Sequence, residues 1–122
     1  MRTTGTDDFR ILHVDDEPVI SKSDDVNDVI GEAWGAENIS LIALPVARLD
    51  PEFFRLSSRL AGDVLQKFVN YRLQLAIIGD ISEHLAASEA LRDFVWESNR
   101  GDHVWFVANE DDLTAKLAAR NP

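Results

Sequence analysis

Apolar and polar positions alternate along this chain with two different periods. At a helical period, Val26, Val29, Ile30, Ala33 and Trp34 form one stripe, and Leu60, Ala61, Val64, Leu65, Phe68 and Val69 form a second. The second stripe turns Asp63, Gln66, Lys67 and Asn70 outward. Leu91, Phe94 and Val95 define a third stripe, and Leu113 and Leu117 anchor a fourth. Residues 39–46, 73–80 and 103–107 are apolar runs without alternation, the pattern of strands covered on both faces. From residue 58 to residue 107 the chain therefore reads helix, strand, helix, strand. A helical crossover is what lets consecutive strands run parallel in one sheet.

Capping and turn residues place the boundaries. FRILHV, residues 9–14, predicts a first strand, Asp15-Asp16-Glu17-Pro18 a turn, and residues 18–21 a short second strand, together a hairpin. Ser23 caps the first helix, with Asp24 and Asp25 at the positive end of its dipole, and Gly35 ends it. Asp50-Pro51-Glu52 carries the cap and first-turn proline of a short helical turn. The second long helix opens near Ser57 or Ser58, and the third runs from Ser88 to Asn99-Arg100-Gly101. Residues 1–8 read as a flexible lead-in. The order is ββαβαβαβα: one α/β domain over residues 9–120, with a mixed, mostly parallel sheet of about five strands and four helices. Trp34 and Trp105 read as core.

Composition narrows the function classes. There are 22 acidic against 12 basic residues in 122, a formal charge of -10, which is the wrong balance for a nucleic-acid backbone. Residues 1–33 hold nine acids against Arg2, Arg10 and Lys22, whereas residues 48–72 hold five basic residues against three acids; a solvated surface is the expected reading and a basic partner patch the alternative. Cysteine is absent, so there is no disulfide framework, thiolate nucleophile or zinc knuckle. No apolar run approaches the ~18 residues that span a bilayer, so no membrane partner is expected, and the expected address is a bacterial-type cytoplasm. His13, His84 and His103 show no metal-ligand spacing, and neither metal nor cofactor is expected.

Three resemblances bear on function. RILHVDDEP resembles the opening of a response-regulator receiver domain, whose first strand ends in paired acids. The phospho-accepting aspartate, the later hydroxyl and the lysine of that family have no counterparts here, since strand three ends LIALPV and strand five ends Ala108-Asn109. Asp15, Asp16 and Glu17 are therefore read as a charged hairpin turn. LAGDVLQKFVNYRLQLAIIGDIS, ALRDFVWESNRG and VWFV resemble the bacterial family called domain of unknown function 4180, over about residues 20–117. The likeness is most specific at Phe53-Phe54, residues 60–71 and residues 93–101. The chain departs from the family pattern at Arg55, where an acid is usual, at Ser58-Arg59, where a Thr-Gly pair is usual, and in a longer segment over residues 81–88. That family name implies no activity. The order of elements is also similar to STAS domains, in which a serine opening the helix after strand three takes a phosphate that alters partner binding. Ser57 and Ser58 stand in the comparable place, where the ordinary job of serine is an N-cap.

Open α/β sheets bind ligands beyond the carboxyl ends of their strands. Those ends offer Arg48, Asp50, Ser57, Ser58, Asp80, Ser82 and Asn109 as ligand-binding candidates. Asp80 and His84 could make an acid/base pair, with Ser58 and Arg55 as further catalytic candidates, although a solvated loop explains residues 81–88 as well. Trp96 falls off the third helix's buried stripe, among Arg92, Asp93 and Arg100. It is an interface anchor, a ring lying over a neighbouring helix, or part of a wider stripe. The leading expectation is a STAS-like regulatory or protein-interaction domain without its own catalysis, binding a protein partner or a second copy. The alternative is a small-molecule-binding protein or enzyme of bacterial metabolism that uses the strand-end loops.

Overall fold

The computed structural model describes residues 2–5, 9–16, 18–36 and 38–120, the side chain of Arg120 excepted. One five-stranded sheet, in the order β1-β2-β3-β4-β5, organises them. Strand β1 (Arg2–Gly5) pairs antiparallel with β2 (Arg10–His13). From β2 onward the pairing is parallel, through β3 (Ile39–Pro45), β4 (Gln74–Ile78) and β5 (Val104–Val107). The two apolar runs that carried the α/β reading lie side by side, Leu75 opposite Val104 and Ile78 opposite Val107. Among the described residues five α-helices complete the fold: α1 (Asn27–Gly35), α2 (Leu60–Asn70), α3 (Ser82–Ala87), α4 (Glu89–Arg100) and α5 (Glu110–Arg120).

Strand–helix–strand crossovers share one hand, so a strictly sequential order stacks them on one face of the sheet. The core shows this. Val29, Ile30, Val64, Phe68, Leu91 and Val95 of α1, α2 and α4 pack with Leu12, Ile42, Leu44, Leu75, Ile77 and Phe106. The alternate strand positions Leu41, Ala43, Ala76 and Trp105 face the other way, under Leu113 of α5. Because the order never reverses, the sheet has no switch point of the kind that opens a ligand crevice in doubly wound folds. The 2-1-3-4-5 order of the flavodoxin-like folds is absent as well.

The hairpin partner of β2 is Arg2–Gly5, not residues 18–21, so this part of the lead-in is an edge strand. Every residue of β1 is exposed, which leaves no apolar face to reveal it. Gly5 is required in that hairpin: its φ is +103°, and a Cβ would run into the Phe9 carbonyl oxygen. Residues 18–21 contribute one parallel bridge, Ile20 to Leu49, where buried Ile20 donates its N–H to Arg48 O and accepts from Asp50 N–H. Asp15 and Asp16 therefore leave the carboxyl end of a parallel strand instead of forming a hairpin turn; Glu17 lies outside the described residues.

Residues 82–87, expected as loop, form α3, which brings the helices to five instead of four. Helix α2 opens at Leu60, after a 3-10 turn at Leu56–Ser58 and a left-handed Arg59 with φ 67°. Trp34 is not core: it is 67% exposed. At ~100° per residue it stands about 90° from the centre of the Val26, Val29, Ile30 and Ala33 stripe. Its ring instead meets Tyr71 edge-on, with centroids 5.9 Å apart. Trp105 is buried as expected, and its indole N–H donates to Gly101 O at 2.7 Å.

Candidate functional site

The polar candidates at the strand ends mostly hold the backbone in place. Asp50 Oδ1 accepts from Glu52 N–H at 2.9 Å and caps the 3-10 turn Pro51–Phe54. Ser58 Oγ donates to Glu52 O at 2.7 Å and accepts from Leu60 N–H at 3.2 Å, bridging that turn to α2. Asp80 Oδ1 accepts from Ser82 N–H at 2.9 Å, and this bond holds the Asp80 carboxyl below its ordinary range. Asn109 Oδ1 accepts from Asp112 N–H at 2.8 Å at the start of α5. Each of these oxygens satisfies an N–H that a helix or turn start leaves without a partner.

Arg48 is buried, with 2% of its surface exposed, and Nη1 donates to Asp15 O at 3.1 Å. Among the described residues its Nε has no hydrogen-bond partner. The side chain thereby pins the β2 exit loop from beneath instead of presenting its charge to solvent.

The catalytic candidates are not brought together. Arg55 and His84, with the ligand-binding candidate Ser57, line a hollow of about 540 Å³ that Ser58 does not line, and there the His84 ring stacks on Phe54 with centroids 4.4 Å apart. Arg55 is tied to Glu52 at 3.3 Å. Asp80 lines a separate, mainly apolar hollow of about 280 Å³ with Ile77, Ile81, Val95 and Phe106. Asp80 and His84 thus open onto different spaces. Ser82 is exposed.

A third site was missed. On the face opposite α1, α2 and α4, a cleft of about 460 Å³ is lined by Arg2, His13, Asp15, Asp16 and Glu110 around Ala43, Pro45 and Ile78. Small Ala43 leaves the floor low, α5 packs on β4 and β5, and its first residue Glu110 reaches across to β2. Thr4 Oγ1 lies 2.7 Å from His13 Nε2, and His13 Nδ1 lies 3.2 Å from Glu110 Oε1, which also meets Arg2 Nη2 at 3.2 Å. Burial, and next the Arg2 charge, lower the His13 pKa against the pull of Glu110. His13 is accordingly neutral near pH 7, with Nδ1–H directed at Glu110 and Nε2 accepting from the Thr4 hydroxyl.

Chemically this is a hydroxyl–imidazole–carboxylate relay, which can pass a proton along its length. Arg2, the nearest cation, is engaged by Glu110. The sequence does not announce it, because Arg2 and Thr4 lie in what reads as a lead-in and the Asp pair in what reads as a turn. The available signal was FRILHV ending directly in two acids, the composition of a parallel strand's carboxyl end. Among the described residues, no group of three or more His, Asp or Glu is placed to hold a metal ion.

The remaining anomalies are aromatic. Trp96 is 62% exposed on α4, and the Arg100 guanidinium carbon lies 4.5 Å from the centre of its ring. No described helix is long and apolar enough to cross a membrane. A family model described as domain of unknown function (DUF4180) matches residues 6–117. No curated protein and no solved structure matches the chain.

Proposed function

We propose, for a chain that belongs to the DUF4180 family, a non-catalytic regulatory or protein-interaction domain acting in the cytoplasm. The observation that carries this reading is the outward placement of large aromatic side chains on helices that already bury a complete apolar stripe. Trp34 and Trp96 are both more than half exposed. Burying an exposed tryptophan in a contact releases hydration free energy, and Trp, Tyr and Arg are the side chains enriched at interface hot spots. The STAS-like order of elements supports it as a fold-level analogy.

The test is affinity purification from the source cell with wild-type, Trp34→Ala and Trp96→Ala protein, alongside light scattering. A protein or second copy lost from either variant, with an unchanged thermal midpoint, supports the reading. Identical partners and mass for all three would sink it. The second reading, a small-molecule-binding protein or enzyme, gains from the Thr4–His13–Glu110 relay and its cleft and not from Asp80 and His84. A ligand that perturbs His13 ring resonances would favour it.

A further inference from the structure

We infer that strand β5 is a latent strand-pairing edge, held shut against a second copy of this chain by a clasp of Asn99 and Lys116. The device goes beyond the interaction reading, since it lies at the margin of the sheet and uses neither Trp34 nor Trp96. Among the described residues no strand lies beyond β5. Leu75 and Gly79 donate their N–H groups to the carbonyls of His103 and Val107, so those two residues face β4. Alternation along the strand then turns the backbone groups of Val104 and Phe106 toward the open side.

That edge is a hazard by composition. Val-Trp-Phe-Val is uncharged and built of strong β-formers, a ready template for another strand. At the other margin β1 is Arg-Thr-Thr-Gly, polar and exposed throughout, and invites pairing less.

Asn99, in the last turn of α4, supplies what a further strand would. Its Oδ1 accepts from Phe106 N–H at 2.7 Å, and its Nδ2 donates to Phe106 O at 3.2 Å. A primary amide carries a donor and an acceptor side by side, as a peptide group does; aspartate lacks the donor and leucine lacks both. Asn99 stands one turn past buried Val95, where leucine or alanine would extend the apolar stripe and form helix better. The strand edge accounts for an amide at this position.

The other half of the clasp comes from the opposite layer. Lys116 belongs to α5, yet its Nζ donates to Asn99 O at 2.8 Å and lies 4.9 Å from the centre of the Trp105 ring. A bond between helices on opposite faces of the sheet has to pass outside β5. The excluded occupant is a second β5 paired antiparallel, with the two-fold axis at Trp105. Val104 of one copy then lies opposite Phe106 of the other, twice, and each pair exchanges two backbone bonds. The same axis brings the two Lys116 ammonium groups toward one another, which opposes pairing.

Sedimentation and amide exchange on the full chain, over rising concentration, test this. Asn99→Ala should speed exchange of the Phe106 amide about fivefold or more in dilute solution. Its mass should climb with concentration toward twice the wild-type value. Adding Lys116→Ala should tighten that association. Adding Val104→Pro should abolish it, because the Val104 N–H points away from β4 and proline there spares the ladder. Val64→Ala, destabilised by a cavity under α2 with the clasp whole, should keep the wild-type mass. The wild type gives a reading that stands even if Asn99→Ala does not fold: the Asn99 side-chain amide protons should exchange more slowly than those of exposed Asn70.

The inference is overturned if Asn99→Ala keeps the wild-type mass at every concentration, or if its association survives Val104→Pro. Equal association of Val64→Ala would overturn it as well, by making pairing a consequence of lost stability. Side-chain amide exchange as fast at Asn99 as at Asn70 would remove the clasp itself.

Discussion

The two faces of the sheet are built on different terms. One is sealed by three helices whose side chains interdigitate with Leu12, Ile42, Leu44, Leu75, Ile77 and Phe106. The other has α5 alone, over Ala76, Trp105 and Leu41, and beyond it a polar network of Arg2, Thr4, His13 and Glu110. The difference follows from strand order. Sequential crossovers of one hand collect on one side, and the opposite side receives whatever chain is left after β5. Stability therefore resides on the first face, and the second is shallow and wet at its edge.

The comparison can be broken by substitution. Phe68→Ala, at a fully buried position on the three-helix face, should cost about 3–5 kcal/mol in denaturant unfolding. Leu113→Ala, under α5, should cost about 2–3 kcal/mol, because the smaller cluster has more room to relax. Equal losses at the two sites would erase the asymmetry. Arg48 sharpens it. Among the described residues its buried charge donates to the Asp15 carbonyl and its Nε has no hydrogen-bond partner. Arg48→Met, which keeps volume and removes the charge, should change stability by less than about 1.5 kcal/mol, whereas Arg48→Ala should cost about 2 kcal/mol or more through the lost packing.

Protonation separates the faces next. The His13 pKa is lowered in the folded state, so the unfolded chain binds the proton first. The stability this histidine contributes is complete above about pH 6.5 and is lost as pH falls through the folded value. Thermal midpoints measured from pH 7.5 to 5 should fall for the wild type and fall less for His13→Gln. A wild-type profile no steeper than that of His13→Gln would contradict the neutral relay. The smallest effect is expected on the outer helix surface, where Gly31→Ala should stabilise by up to about 1 kcal/mol.

The elements legible in the sequence are those whose burial is one-sided or complete. Leu75, Ile77 and Trp105 announce β4 and β5 because both faces are covered, and Ser88 announces α4 because its hydroxyl caps Leu91 N–H. Asp50 and Pro51 announce the short turn for the same reason. Strand β1 was illegible because an exposed edge strand of Arg, Thr and Gly carries no apolar alternation. Ile20 misled in the opposite sense, a buried residue held by one bridge and not by a strand. The relay was hidden with β1, since His13 acquires its meaning only when Thr4 and Glu110 are brought beside it. Trp34 looked like core because a stripe's edge and its centre differ by one helical step, and only the neighbouring chain decides which is covered.

The proposed function lies on the outer surface of the helix-covered face and not in the cleft on the other. Hydrogen–deuterium exchange on the chain captured with its cellular partner, compared with the free chain, tests that assignment most directly. Added protection over residues 27–36 and 89–100, with the exchange of residues 2–5 and 13–16 unchanged, is the predicted result. Protection confined to residues 2–5, 13–16 and the start of α5 would contradict it and move the functional surface to the cleft.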